Sequence, residues 1–272
     1  MADPNSTAVV QNATNDIFYY SRGLGGVDVP RDVLITRIIY STTLFVVLFF
    51  FAGRIAQIVH AYFRYITAAA ASKRQQAHWG IETSPLYARL KKHFLYAPLG
   101  KKRHNREIQL SSVVNVGTVP SRFQTILIGV YLLSQIFYCS FFNYKDHTKQ
   151  EIFAQIRGRS GTLALMNMVP LFILAGRNNP LISLLHISFD TYNLIHRWLG
   201  RIFMLESVLH TIAWAVNGYY EQNMTQMWHR LFHIPFFTWG FVGTIASIWL
   251  SIHSVSPLRH AFYETFLLGH QI

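Results

Sequence analysis

The feature that most constrains this chain is a run of twenty residues, 123–142, without a single charged side chain. A helix of that length crosses the roughly 30 Å hydrocarbon core of a bilayer. Comparable apolar runs lie at residues 33–60, 161–176, 194–216, 236–255 and 261–272. The sequence therefore predicts an all-α, multi-span transmembrane helix bundle with about six spans.

Two of these runs are irregular. The run at 161–176 is short, and Pro170 is expected to kink it because proline lacks a backbone donor. The run that begins at residue 261 reaches residue 272 before it is long enough to cross. The sixth span is therefore predicted to be truncated.

Composition excludes several classes of protein. Hydrophobic residues make up 51% of the chain and charged residues only 13%, which fits neither an ordinary soluble domain nor a disordered chain. The single cysteine, Cys139, excludes an intrachain disulfide and any cysteine-based zinc or iron–sulfur site. Any metal or haem iron would therefore need ligands from the thirteen histidines, with methionine as a second source.

Basic residues indicate the orientation. The net charge is +12, and ten of the 24 lysines and arginines fall in the polar segment 61–121, which is typical of a cytoplasmic loop. No basic-aromatic module accompanies them, so nucleic-acid binding is not expected. Alternation of the spans then places segments 1–34, 143–160 and 217–235 outside, and all three glycosylation sequons fall there. The sequons begin at Asn5, Asn12 and Asn223.

His196 and His210 are the informative pair, because ionisable groups inside a span are costly and indicate function. They are fourteen residues apart in one apolar run, close to four helical turns, so both side chains are expected on one face. Their axial separation would be about 21 Å, too far for one metal ion but suitable for two stacked haems. The alternative is that each is a hydrogen-bonded interior histidine that does not bind iron.

A bis-imidazole haem needs a second histidine on a facing helix. By the predicted topology His196 lies near the inner end of its helix, and His270 lies in the sixth run, which starts from the same side. The two are expected to meet at one inner haem. A partner for His210 would be needed near position 284, which the chain does not reach, so the outer site is expected to be incomplete.

Several other polar residues near these runs are predicted to have a role in the site or in the helices. Arg177, Arg197, Arg201 and Arg259 are predicted either to contact haem propionates or to reflect only the positive-inside bias. His186 and His260 are expected to cap helices or to contact propionates. Glu206, four residues before His210, is predicted to pair with a helix neighbour or to orient a histidine. His229 and His233 form an i, i+4 pair near Met224 and Met227 that could touch a metal substrate.

Residues 163–214 closely resemble the membrane domain of fungal ferric reductases. The motifs that carry the resemblance are AGRNNP, then SFDTYNLIHRW, then LHT, and LRHAFYETFLLGH at 258–270 resembles the start of the family's later haem helix. NADPH oxidases are more distant relatives that share the haem core. The resemblance covers most of residues 122–272.

The resemblance implies two b-type haems with His196, His210 and His270 as axial ligands, and no metal beyond haem iron. It implies that electrons pass from NADPH through FAD and the two haems to ferric iron or a ferric chelate outside. The sequence contains no glycine-rich dinucleotide fingerprint, so no FAD or NADPH region is expected within it. No general acid, base or nucleophile is required, and none is assigned.

These expectations define three domains and a function. Residues 1–34 are expected to be extracellular, 35–121 to form the first span and the basic cytoplasmic loop, and 122–272 to be an incomplete haem-binding membrane domain. We expect a multi-pass plasma-membrane ferric reductase, with lipid and a ferric substrate as partners and homo-oligomerisation left open. The alternatives are a superoxide-generating relay of the NADPH-oxidase type and a non-catalytic regulatory or remnant membrane fragment.

Overall fold

Helices dominate the computed structural model of the chain, which describes residues 29–72, 84–100, 107–109, 115–118, 120–141 and 148–271. In chain order the helices are α1 (Val29–Ala70), α2 (Pro85–Leu90, continued by a π-helical turn, Lys91–Leu95), α3 (Arg122–Ser140), α4 (Lys149–Ile173), α5 (Pro180–Leu185), α6 (Phe189–His233), α7 (Pro235–His253), α8 (Ser256–Ala261) and α9 (Tyr263–Gln271). Two short antiparallel strands, β1 (Glu107–Gln109) and β2 (Asn115–Thr118), are the exception. The predicted all-α class is confirmed.

Four helical stretches among the described residues are long and apolar enough to cross a membrane. They are Pro30–Ala70, Arg122–Ser140, Phe189–Tyr220 and Pro235–His253. The other two predicted spans are helical but do not meet that standard. The first lies in α4, whose amino-terminal half is polar, and the second is α9, whose nine residues reach only about 14 Å.

Helix α4 begins earlier than the sequence pattern predicted. Segment 143–160 was predicted to lie outside the membrane between two spans, as a charged linker, yet the helix starts at Lys149. A reciprocal capping box explains the start: the Thr148 backbone N–H donates to Glu151 Oε2 at 2.8 Å, and the Glu151 N–H donates to Thr148 Oγ1 at 3.3 Å. The helix then runs through Pro170 to Ile173, and its buried residues include Arg157 and Arg159.

The middle of α1 shows why the environment must be lipid. Eight consecutive large apolar side chains, from Leu44 to Phe51, are all exposed, and Phe45 reaches 69%. A helix that is apolar on every side is stable in hydrocarbon but not in water. The same helix contacts protein at its amino-terminal end, where Asp32, Val33 and Thr36 are buried.

The chain divides into two compact units. The first comprises the described residues of Met1–Ser41, Ser134–Val169 and Leu199–Ser251, and the second those of Thr42–Leu133, Pro170–Trp198 and Ile252–Ile272. His210 lies in the first unit, whereas His196 and His270 lie in the second.

The interior of the first unit is unusually polar. Its fully buried side chains include Leu163, but also Gln155, Arg159, Asn167 and Asn217. In lipid, apolar groups gain little from burial inside the protein, so interhelical hydrogen bonds and close packing contribute a larger share of the association energy.

Candidate functional site

His196 is held by a backbone carbonyl in the second unit. Its Nδ1 lies 3.0 Å from the carbonyl oxygen of Leu171 in α4, and the side chain is half-buried. A carbonyl oxygen only accepts, so Nδ1 carries a proton, and in the neutral imidazole the lone pair is on Nε2. This is the tautomer and the kind of second contact that a metal-ligating histidine uses.

His270 lies beside His196, although 74 residues separate them in the sequence. The centroids of the two imidazole rings are 6.0 Å apart, and the ring planes meet at 79°. Phe266, one turn earlier in α9, stacks against the His270 ring with centroids 5.1 Å apart. The structure therefore brings together the two histidines that the sequence paired.

This spacing fits a bis-imidazole iron site. With an iron–nitrogen bond of about 2 Å on either side of the metal, the centroids of two axial imidazoles stand about 6.3 Å apart. Both ring planes contain the bond axis at any mutual rotation, so an angle of 79° is compatible with it. His270 is exposed and His196 is half-buried. The donor set therefore fits haem.

The loop that leads into α6 is fixed by Arg54. Its Nε donates to the carbonyl of Leu185 at 2.7 Å, and its Nη2 donates to the carbonyl of His186 at 2.9 Å. Helix α5 ends at His186 in the left-handed region, at φ 50°. Its final carbonyls would otherwise lack helical donors, and a charged two-pronged donor satisfies two of them. His186 thus follows the last residue of α5 and takes part through its backbone, whereas its predicted role as a cap near a helix start or as a propionate contact stays a prediction.

A second set of contacts fixes the start of α5. Asn179 caps this helix by accepting from the Leu181 N–H at 2.9 Å, while its Nδ2 donates to the carbonyl of Ile173 at 2.7 Å. The hydroxyl of Tyr192, in the first turn of α6, donates to the Leu181 carbonyl at 3.2 Å. The end of α4, the start of α5 and the start of α6 are therefore joined by side chains from the AGRNNP and SFDTYN motifs.

His210 occupies a comparable position in the first unit. Its Nδ1 lies 2.7 Å from the carbonyl oxygen of Arg157, so its Nε2 also keeps a lone pair. The ring rests on Gly161: a Cβ at that position would lie 2.8 Å from His210 Nδ1 and 3.0 Å from its Cε1. Only glycine permits this close approach of α4 to α6.

A buried carboxamide–carboxylate group lies beside the His210 helix. Asn167, fully buried, donates to Glu206 Oε2 at 2.7 Å and to Gln135 Oε1 at 3.3 Å. Glu206 Oε1 is buried and has no hydrogen-bond partner among the described residues. Glu206 was expected to pair with a neighbour on its own helix or to orient a histidine, whereas its hydrogen-bond partner is Asn167 of α4.

Two buried arginines of α4 were missed by the sequence reasoning. Arg159 donates from Nε and Nη2 to Asp32 Oδ1 at 3.1 and 3.0 Å. Arg157 donates to Asn217 Oδ1 at 3.3 Å. The T-x-x-E sequence at 148–151 is a capping-box signal from which the earlier start of α4 could have been predicted. A helix that starts there has Arg157 on the same face as Gly161, four residues later.

The arginines proposed as propionate contacts have varied surroundings. Arg177 is exposed and lies over the Phe189 ring at 5.8 Å, and Arg201 is exposed in the first unit. Arg197 and Arg259 are half-buried in the second unit. Their role toward propionates stays a prediction.

Three expectations fall wholly or partly outside the described residues. Asn5 and Asn12 lie there, as does the side chain of His260. Asn223 is described: it is exposed and interrupts α6 with φ 68° and ψ 167°. An exposed, non-helical asparagine is compatible with the predicted glycosylation, which stays a prediction.

Comparison with known proteins gives a consistent result. Residues 160–272 match the family model described as "Ferric reductase like transmembrane component". Ferric reductase transmembrane component 5 of Saccharomyces cerevisiae is 25% identical over 175 residues, which cover 62% of this chain and 24% of that protein. Component 3 of the same yeast is 22% identical over 96% of this chain and 38% of its own length.

A third relative is Ferric/cupric reductase transmembrane component 1 of Candida albicans, 31% identical over 57% of this chain and 21% of its own length. No solved structure matches the chain. The chain thus spans less than two fifths of each of these relatives. The residues matched by the family model, 160–272, include His196, His210 and His270. Residues 160–272 are therefore similar to the transmembrane component of fungal ferric reductases.

Proposed function

We propose that this chain carries electrons across a membrane through b-type haem and so reduces ferric iron, or a ferric chelate, on the outer side. The observation that carries the proposal is the 6.0 Å separation of the His196 and His270 rings. Two histidines from distant parts of the chain lie at a ring separation compatible with two imidazoles on one iron, which supports the proposal.

The haem, when bound, supplies a one-electron carrier within an insulating layer. The chain supplies the position and the electronic setting of that carrier. The Leu171 carbonyl fixes the His196 tautomer and raises the basicity of Nε2. Arg54 and Asn179 fix the loops on either side of α5, so α6, the helix that carries His196, starts at a defined place.

We extend the proposal to His210 as one axial ligand of a second haem. Its Nδ1 is held by the Arg157 carbonyl, as that of His196 is held by Leu171, and Gly161 leaves room for its ring. Both histidines lie on the single helix α6. The likeness of the two arrangements supports the same chemical role for both imidazoles.

The remaining assignments are part of the same proposal. Residues 122–272 would form the haem-binding domain. Residues 1–34 would lie outside the cell, and the basic segment 61–121 would lie on the cytoplasmic side of the plasma membrane. The names of the relatives include ferric and cupric reductases, so Fe³⁺ and Cu²⁺ complexes are the substrate classes to examine. NADPH and FAD would be the electron source in a longer protein of this kind.

The proposal is tested by the visible spectrum of membranes that contain the full chain. Dithionite reduction should produce the narrow bands of a bis-imidazole haem. His196→Ala and His270→Ala should each abolish the bands of the site they share, whereas His60→Ala, an exposed histidine of α1, should leave them unchanged. A bis-imidazole spectrum that is unchanged in intensity by His196→Ala and by His270→Ala would refute the assignment, and so would the absence of bands from the unsubstituted chain.

The acceptor is tested separately. Purified chain reduced under anaerobic conditions should lose its reduced bands when ferric–EDTA is added. Rapid reoxidation by oxygen with superoxide formation, combined with no reaction with ferric–EDTA, would instead favour the oxidase alternative.

A further inference from the structure

Two histidines near the end of α6 form a stacked pair that the haem proposal does not use. His229 and His233 are four residues apart, their ring centroids are 4.2 Å apart, and their planes differ by 7°. Both side chains are exposed. Residues four apart on a helix lie one above the other, so this is the arrangement in which two imidazoles can hold one ion.

The helical segment that carries the pair has a fixed orientation. Asn223 leaves the helical region and accepts from the Gln226 N–H at 3.2 Å, so it caps a new helical segment. Met227 and Leu231 are buried, at 8% and 4% exposed, and anchor one face of that segment in the first unit. His229 and His233 lie on its exposed side.

One ring nitrogen of the pair already has its partner. His233 Nδ1 lies 3.0 Å from the carbonyl oxygen of His229 and donates to it, so His233 Nε2 keeps a lone pair. A backbone carbonyl is a common second contact of metal-ligating histidines. The two histidines therefore have helical spacing and access to solvent, and the tautomer of the His233 ring is fixed.

We propose that His229 and His233 bind a divalent transition-metal cation, with Cu²⁺ held most tightly. Two adjacent imidazoles suit Cu²⁺, Ni²⁺ and Zn²⁺, and Cu²⁺ stands highest in the affinity series for nitrogen ligands. Coordination of one ion at adjacent positions would place the two Nε2 atoms about 2.8 Å apart, with metal–nitrogen bonds of about 2 Å.

The rest of the coordination sphere would be open. Within the ranges that the structure describes, no group of three histidine, cysteine or acidic side chains could hold a metal ion. Met227 is turned into the protein and is not available as a ligand. Arg230, next in sequence to His229, adds a positive charge that repels a cation. Water or a chelating ligand would occupy the other coordination positions. Divalent metals below Cu²⁺ in the affinity series would bind weakly.

This site is independent of haem, so its test does not depend on the proposed function. Cu²⁺ is titrated into the purified full chain, without a polyhistidine tag, and binding is measured by equilibrium dialysis. We expect one Cu²⁺ per chain at this site, with affinity reduced about tenfold or more by His229→Ala or His233→Ala. His93→Ala is the matched control: His93 is exposed, but Arg89 and Ala97 stand at the four-residue positions, so its loss should leave binding unchanged.

Electron paramagnetic resonance gives a second readout. The nitrogen hyperfine pattern of bound Cu²⁺ should indicate two imidazole nitrogens in the unsubstituted chain and one in His233→Ala. Because both side chains are exposed, the variants should keep the thermal unfolding midpoint of the parent. Equal affinity in the parent and both variants, or a single-nitrogen spectrum in the parent, would overturn the proposal.

Discussion

The contact between Gly161 and His210 can be tested with a single methyl group. In Gly161→Ala the new Cβ would lie 2.8 Å from His210 Nδ1 and 3.0 Å from Cε1, closer than carbon atoms approach these atoms in folded proteins. The ring cannot move away freely, because Nδ1 is hydrogen-bonded to the Arg157 carbonyl at 2.7 Å. Either that hydrogen bond breaks or α4 and α6 separate.

The expected cost follows from three contributions. Forcing a methyl group into a packed contact costs about 1–3 kcal/mol, and loss of the hydrogen bond costs about 1 kcal/mol. Alanine regains about 1 kcal/mol over glycine through helix propensity. Gly161→Ala should therefore lower the free energy of unfolding by about 1–3 kcal/mol.

Two other glycines give matched controls. A Cβ at Gly53 or Gly243 would have no atom within 4 Å, and both residues lie inside helices. Gly53→Ala and Gly243→Ala should be neutral or stabilising by up to about 1 kcal/mol. The assay is unfolding of the detergent-solubilised chain by added dodecyl sulfate, followed by circular dichroism. If Gly161→Ala were as stable as the two controls, the close approach of α4 and α6 at His210 would be refuted.

Three further substitutions test buried polar contacts, with the free energy of unfolding as the common measurement. Asp32→Asn leaves Arg159 without its buried counter-charge and should cost about 3–5 kcal/mol. Asp32→Asn combined with Arg159→Met should cost less than the sum of the single changes, and strict additivity would contradict the pairing. Asn167→Leu removes the donor to Glu206 Oε2 and should cost about 2 kcal/mol, whereas a neutral effect would show that the carboxylate has another donor. Arg54→Lys loses the two-pronged contact with the carbonyls at the end of α5 and should cost about 2 kcal/mol. A lysine that preserved full stability would show that a point charge suffices there.

The membrane helices were predictable because the signal is local. A bilayer requires about twenty consecutive apolar residues and internally satisfied backbone groups, and both requirements can be read along the chain. The run at 123–142 became α3, Arg122–Ser140, with its ends within two residues of the prediction. The pairing of His196 with His270 was predictable for a related reason: each lies about two turns after the start of its helix, and alternating topology was expected to start both helices from the same side of the membrane.

The start of α4 was not predicted, because its first half is charged and was read as a linker. Its capping box, Thr148 and Glu151, was present in the sequence but was outweighed by the charge of residues 143–160. Charged residues are compatible with a buried helix only if a partner is present, and the partner of Arg159, Asp32, lies 127 residues away. No local pattern indicates such a pair.

The amino-acid sequence by itself determined that this chain is a bundle of membrane helices with histidines at helical spacing inside it. Hydropathy and helical periodicity act over a few turns, so they can be read without knowing which helices meet. Only the tertiary structure decided which groups each histidine contacts. The Leu171 and Arg157 carbonyls, the space left by Gly161, and the Glu206–Asn167 hydrogen bond all join different helices. Such contacts depend on the mutual placement of side chains far apart in the chain, which packing fixes and periodicity does not.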